Sequence, residues 1–133
     1  MTLTPPALTR LKKRREFLHA AKGRKAVRSG VVIQVNANGT PDQCGAGFTA
    51  TRKIGNAVIR NRAKRRLRET ARLLLPLHGQ PGFDYVFIAR ASTPDRDWLR
   101  LLADVESALT SLAPSGGGTK PDQTSSRPQG PGR

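Results

Sequence analysis

The sequence predicts an α+β fold in which helices pack against one small sheet, and three observations carry that reading. Residues 57–75 run without Gly or Pro and repeat their apolar side chains at helical spacing. Residues 31–37 (VVIQVNA) and 84–91 (DYVFIARA) are rich in the β-branched and aromatic residues that suit a pleated surface. Residues 95–112 then return to helical spacing. A chain of 133 residues is the length of one domain with a modest core.

In chain order, residues 1–7 (MTLTPPA) contain two prolines and read as a loose end. From Thr9, TRLKKRREFLHAAK reads as a first helix with Leu8, Leu11, Leu18 and Ala21 as its apolar stripe and Gly23 as its stop. Phe17 falls off that stripe, beside Lys13 and Arg14. There it either completes a core or offers a ring for a nucleic-acid base to stack on. Residues 24–30 read as a basic connector, 31–37 as the first strand, and Asn38-Gly39 as a turn.

GAGFTATRK (45–53) reads as a second strand with Ala46, Phe48 and Ala50 on one face and Gly47, Thr49 and Thr51 on the other. Phe48 belongs to a core, whereas the small residues Gly45, Gly47 and Thr49 leave the opposite face open, as a groove requires. The central helix enters through Gly55, is capped by Asn56 and is expected to stop at Pro76. At roughly 100° per residue, Ile59, Ala63, Leu67, Thr70, Ala71 and Leu74 share its buried side. A loop spans 77–83, and strand 84–91 ends at Arg90, placed to meet a phosphate. Thr93-Pro94-Asp95 opens the last helix, whose stripe runs Trp98, Leu101, Leu102, Val105, Ala108, Leu109 and Leu112, with Trp98 in the core. From Pro114 the chain is Pro, Gly, Ser and Gln without an apolar stretch, an expected disordered tail over 114–133. One domain over 8–113 remains.

Net charge is +15, and its placement says more than its size. Residues 10–28 hold nine Lys or Arg against Glu16, a charge of +8, and residues 52–72 hold nine against Glu69, again +8. Everything else sums to −1. On the central helix Arg60, Lys64 and Arg68 follow one another at four-residue spacing, so like charges repel where mixed signs would support the helix. A polyanion is the natural compensation.

Other chemistries find little support. Cys44 has no partner thiol, and His19 and His78 are too few and too distant for a zinc site or a catalytic pair. No nucleophile–base pair and no paired carboxylates occur, so neither catalytic nor metal-ligating residues are expected. No apolar run approaches the about 18 residues of a membrane span, and the N-terminus has no apolar signal core, which points to the cytoplasm. The central helix backs its charges with an Ala-rich face too slight for a membrane-surface anchor.

KIGNAVIRNRAKRRLRE (53–69) resembles the signature of the bacterial ribonuclease P protein subunit family, through Lys53, Gly55-Asn56-Ala57-Val58, Arg60-Asn61-Arg62 and Lys64-Arg65-x-x-Arg68. RLKKRREF (10–17) and FIAR (87–90) support it, and the resemblance covers about residues 8–112. It implies a two-layer α+β sandwich with a small mixed sheet and a left-handed β-α-β crossover. It also implies a ribonucleoprotein endonuclease that removes the 5′ leader of precursor tRNA, with catalysis carried by an RNA subunit and its magnesium ions (Mg2+). The partners implied are that catalytic RNA and the precursor tRNA, with no membrane and no obligate protein partner. Carried onto this chain, Arg60, Asn61, Arg62, Lys64, Arg65 and Arg68 look like the surface for the catalytic RNA. Lys13, Phe17, Thr49, Thr51 and Lys53 look like the residues that meet the leader. Many relatives carry a second aromatic where this chain has Ala21, and some carry one at Gln34, so stacking here leans on Phe17. A ribosomal or ribosome-assembly protein fits the composition equally but not the Arg60-Asn61-Arg62 context. A DNA-binding regulator lacks a helix-turn-helix pair.

Overall fold

A computed structural model describes residues 7–40 and 42–113. The expected tail 114–133 and all of the expected loose N-terminus except Ala7 lie outside the described residues. Five strands and three helices follow in the order β1 (Ala7–Arg10), α1 (Arg14–Ala21), β2 (Arg24–Val27), β3 (Val31–Ala37), β4 (Gln43–Thr49), α2 (Ala57–His78), β5 (Phe83–Ala89) and α3 (Trp98–Leu112). They form one mixed sheet in the order β1-β4-β5-β3-β2. β1, β4 and β5 run parallel, while β3 pairs antiparallel with β5 and β2 with β3. Parallel neighbours cannot be joined by a tight hairpin, and α2 makes the crossover from β4 to β5.

Strand alternation splits the sheet into two unlike faces. On one, Val31, Ile33, Val35, Cys44, Ala46, Tyr85, Phe87 and Ala89 form the main core with Ala63, Leu67, Ala71 and Leu75 of α2. Leu101, Val105, Ala108, Leu109 and Leu112 of α3 complete it. On the other face, Val86 joins Leu11 and Ala20 in a small cluster edged by Phe17 and Ile88. Burial lifts the Cys44 thiol to about 12 and the Tyr85 hydroxyl to about 12, so both stay protonated at neutral pH. Cys44 is therefore an inert core thiol.

Five elements differ from the sequence expectation. The first helix was expected from Thr9, but Ala7–Arg10 forms β1 against β4, and Leu11 N–H extends the pairing to the Ala46 carbonyl at 3.0 Å. Eight residues of helix remain, and the expected stripe loses its phase: Leu11 and Ala20 are buried, while Leu18 is 52% exposed and Ala21 is exposed. The expected connector 24–30 begins with edge strand β2, in which Ala26 alone turns inward. One buried residue in four, beside an exposed Val27, is too short a pattern to read, and the charges of Arg24 and Lys25 on an edge strand guard it against pairing with another chain.

The second strand spans Gln43–Thr49, and a short 3-10 turn takes up Arg52–Ile54. Helix α2 does not stop at Pro76 but runs through it to His78, where Gly79 N–H closes on the Leu75 carbonyl at 2.7 Å. Proline costs most in a helix interior, whereas here it falls in the last turn, where Leu75 is fully buried. The last helix begins at Trp98, capped by Asp97, because Thr93 serves as a buried tie, its hydroxyl donating to the Gly30 carbonyl at 2.7 Å. No described helix is long and apolar enough to cross a membrane.

Candidate nucleic-acid interface

Helix α2 is anchored before it is charged. Asn56 caps it as expected, its side-chain oxygen accepting from Ile59 N–H at 3.0 Å. Ala63, Leu67, Thr70, Ala71 and Leu75 bury one side against the sheet. Ile59, expected on that side, is 36% exposed and instead packs over Gly55, where φ is 149° and a Cβ would come within 2.8 Å of the Ile59 side chain. Leucine-sized burial along the rest of the stripe holds the helix while its other arc carries cations.

Those cations divide by what holds them. Arg66 belongs to the fold: its guanidinium donates to the Thr93 carbonyl at 2.7 Å and the Arg96 carbonyl at 2.6 Å, and lies 5.6 Å from the Trp98 ring centroid. Arg72 pairs with Glu69 on the next turn, and that bidentate contact holds the Glu69 carboxyl below its ordinary range. Asn61 and Arg65 are exposed, Lys64 is half-buried, and Arg62 stands 3.5 Å from Asp95 in a solvent-facing ion pair that contributes little. Arg68 lies over the Phe48 ring at 5.7 Å, and Phe48 in turn stacks on Phe87 at 5.2 Å. The Nε atoms of Arg60 and Arg68 are buried without a hydrogen-bond partner. Each of these two side chains therefore gives up solvation to hold its position.

The opposite face of β4 meets α1. A Cβ built on Gly47 would sit 2.8 Å from the Phe17 ring, so the ring lies directly on the strand backbone where sequence alternation left the face open. Phe17 is half-buried and packs against the cluster of Leu11, Ala20 and Val86. Thr49 follows two residues after Gly47 on the same face, opposite Ile88 of β5. Lys13 stands exposed at the N-cap of α1, and Thr51 and Lys53 are exposed on the connection between β4 and α2.

Local hydrogen bonds place α1. The Glu16 carboxylate accepts from Lys13 N–H at 2.9 Å and Lys12 N–H at 3.0 Å, and these bonds hold its pKa below the ordinary glutamate value. Arg90, at the end of β5 and exposed, donates to the Arg28 carbonyl at 2.7 Å. The alternation of β4 signalled the inward placement of Phe48, while no sequence pattern brings Arg10 of β1 beside Arg68 and Arg72 of α2, with which it lines one cleft. The described residues contain no cluster of three or more His, Cys, Asp or Glu side chains that would hold a metal ion, and so do not fit a protein-held magnesium cage.

A family model described as Ribonuclease P matches residues 6–113. The chain belongs to the ribonuclease P protein family. Within that family it is 58% identical over 114 residues to the ribonuclease P protein component of Caulobacter vibrioides strain NA1000, covering 84% of this chain and 76% of the relative. The corresponding protein of Ruegeria pomeroyi is 48% identical over 105 residues, covering 77% and 84%. Solved structures agree in fold. The ribonuclease P protein of Thermotoga maritima superposes with a TM-score of 0.67 at 28% identity, covering 77% of this chain and 96% of that one. The Staphylococcus aureus protein gives 0.65 at 29%, covering 76% and 92%.

Proposed function

We propose that this chain is the protein subunit of ribonuclease P, binding the catalytic RNA and the 5′ leader of precursor tRNA as the leader is removed to expose the mature 5′ end. The observation that carries the reading is the outer arc of α2, where Arg60, Asn61, Arg62, Lys64, Arg65 and Arg68 crowd like charges onto a well-anchored helix of a ribonuclease P family chain. That arc is assigned to the catalytic RNA. Arginine and lysine neutralise phosphates and release counterions, which favours binding to any polyanion and most of all to a folded RNA of high charge density.

The leader is assigned to the other face of β4. Phe17 supplies a ring edge and face to one unstacked base, Lys13 and Lys53 face the backbone, and Thr49 and Thr51 offer hydroxyls to ribose or phosphate. Cleavage itself is assigned to the RNA, with magnesium as the ion of the particle held by RNA phosphates. The protein then acts as a counterion scaffold that lets two polyanions approach. A soluble, cytoplasmic particle of catalytic RNA and this chain is the expected form.

Reconstitution tests the reading. Adding the purified chain to a bacterial ribonuclease P RNA at low magnesium should restore cleavage of precursor tRNA, because protein cations replace screening that the missing ions supplied. No gain in cleavage would reject it and return the chain to the class of rRNA-binding proteins.

A further inference from the structure

Helix α2 packs on β4 and β5 but leaves the edge strand β1 beyond it, and the space between them is a cleft of about 290 Å³. Its floor is apolar, made of Ala46, Phe48, Ala71 and Leu75. Its rim carries Arg10 from β1 and Arg68 and Arg72 from α2, with Glu69 beside them. Ala46 and Phe48 point away from the face on which Phe17 meets Gly47, so this cleft and the leader groove lie on opposite sides of β4. Nothing assigned so far to the leader or to the outer arc of α2 uses the floor.

An apolar floor under three guanidinium groups is matched by one kind of occupant above others. A nucleobase is flat and apolar on its faces, polar on its edge, and attached to phosphates on both sides. The cleft is at the small end of ligand pockets, the size for one base rather than a stacked run. Arg68 is already held over Phe48, and guanidinium planes are stacking surfaces for unpaired bases. Glu69, whose carboxylate is ionised beside Arg72, can accept from the exocyclic amino group of adenine or cytosine.

We propose that this cleft holds one unpaired, unstacked nucleotide of the catalytic RNA, with its base against Phe48 and the Arg68 guanidinium and its flanking phosphates at Arg10 and Arg72. The inference rests on the ribonuclease P reading and deepens it: α2 reads the RNA with a shaped pocket on one flank as well as with charge on its outer arc. Arg10, which belongs to the first basic cassette, thereby joins the surface built by the second.

The test uses the reconstituted particle probed with dimethyl sulfate, which modifies unpaired adenine and cytosine. The wild-type chain should protect one single-stranded adenine or cytosine of the catalytic RNA, and Arg10→Ala should return its reactivity while the remaining footprint persists. Arg10 is exposed, so the substitution should leave the melting temperature unchanged and weaken RNA binding about tenfold. As a second measurement, titrating AMP into the free chain should shift the methyl resonances of Ala46, Ala71 and Leu75, and ribose 5-phosphate should not. A full footprint with no base that responds to Arg10→Ala overturns the pocket and leaves the RNA-binding reading intact. No footprint at all overturns the ribonuclease P reading instead. Protection confined to precursor tRNA, or Arg10-dependent self-association of the chain, overturns the assignment of the occupant.

Discussion

The two basic cassettes carry the same charge of +8 and are built in opposite ways. Residues 52–72 lie mostly on one long helix that buries five residues of its own and is held by Leu67 and Leu75, both fully buried. Residues 10–28 are broken into the end of a strand, an eight-residue helix and an edge strand; within α1 only Ala20 is buried. An isolated helix of eight residues is far below the length that is stable in water, so α1 depends on Leu11, Phe17 and the Glu16 cap. Equal charge therefore does not mean equal rigidity. The long helix presents its cations on a fixed array, and under the proposed function the short one supplies the more adaptable rim for a single strand.

The largest separation between the regions should appear in stability. Leu67→Ala should cost about 2–5 kcal/mol, since a fully buried leucine leaves a cavity under α2. Leu18→Ala on α1, at 52% exposure, should stay within about 0.5 kcal/mol. Similar shifts in denaturation midpoint for both would erase the contrast. Next comes the charged arc. Arg65→Ala combined with Arg68→Ala should weaken catalytic-RNA binding by roughly 2–3 kcal/mol, at hydrogen bonds to charged groups. It should also lower the salt slope of log K by up to about one per lost phosphate contact. An unchanged slope in a salt titration removes these two residues from the interface.

Phe17→Ala sharpens the comparison from the other side. It should weaken leader-bearing substrate by roughly 1–3 kcal/mol and mature tRNA much less. Equal losses for both substrates, together with a lower melting temperature, would leave Phe17 a packing residue alone. The smallest effect concerns acid. The Glu16 pKa is lowered in the folded chain by the backbone N–H groups of Lys13 and Lys12, so its contribution is present above the unfolded value and is lost as pH falls through the folded one. Glu16→Gln should fray α1 by less than about 1 kcal/mol and remove that acid dependence, as followed by amide exchange in residues 14–21.

Legibility followed the same divide. The capped central helix, the first strand and the buried stripe of α3 could be read from local pattern, since each repeats its period over enough residues to be recognised. Strands β1 and β2 could not, because each has four residues and owes its existence to a neighbour's free hydrogen bonds. The alternation of β4 sorted its residues onto two faces, but the face expected to stay open is covered at Gly45 by Leu11 and Asp84 and at Gly47 by Phe17. It did not foretell that Arg68 would rest on Phe48, or that Arg66 would be spent on the Thr93 and Arg96 carbonyls, since seven neighbouring cations look alike in one dimension.

By itself, the amino-acid order determined that two cationic segments flank a sheet, that one is a continuous helix, and that the chain has the ribonuclease P signature. Periodicity and charge are local properties, and local properties survive in a string of letters. Tertiary structure alone decided which guanidinium groups are tied to backbone carbonyls, and that Phe17 covers β4 at Gly47. It alone brought Arg10 across from β1 to α2. Those outcomes depend on pairing between residues far apart in sequence, where geometry is set by the sheet and not by spacing along the chain.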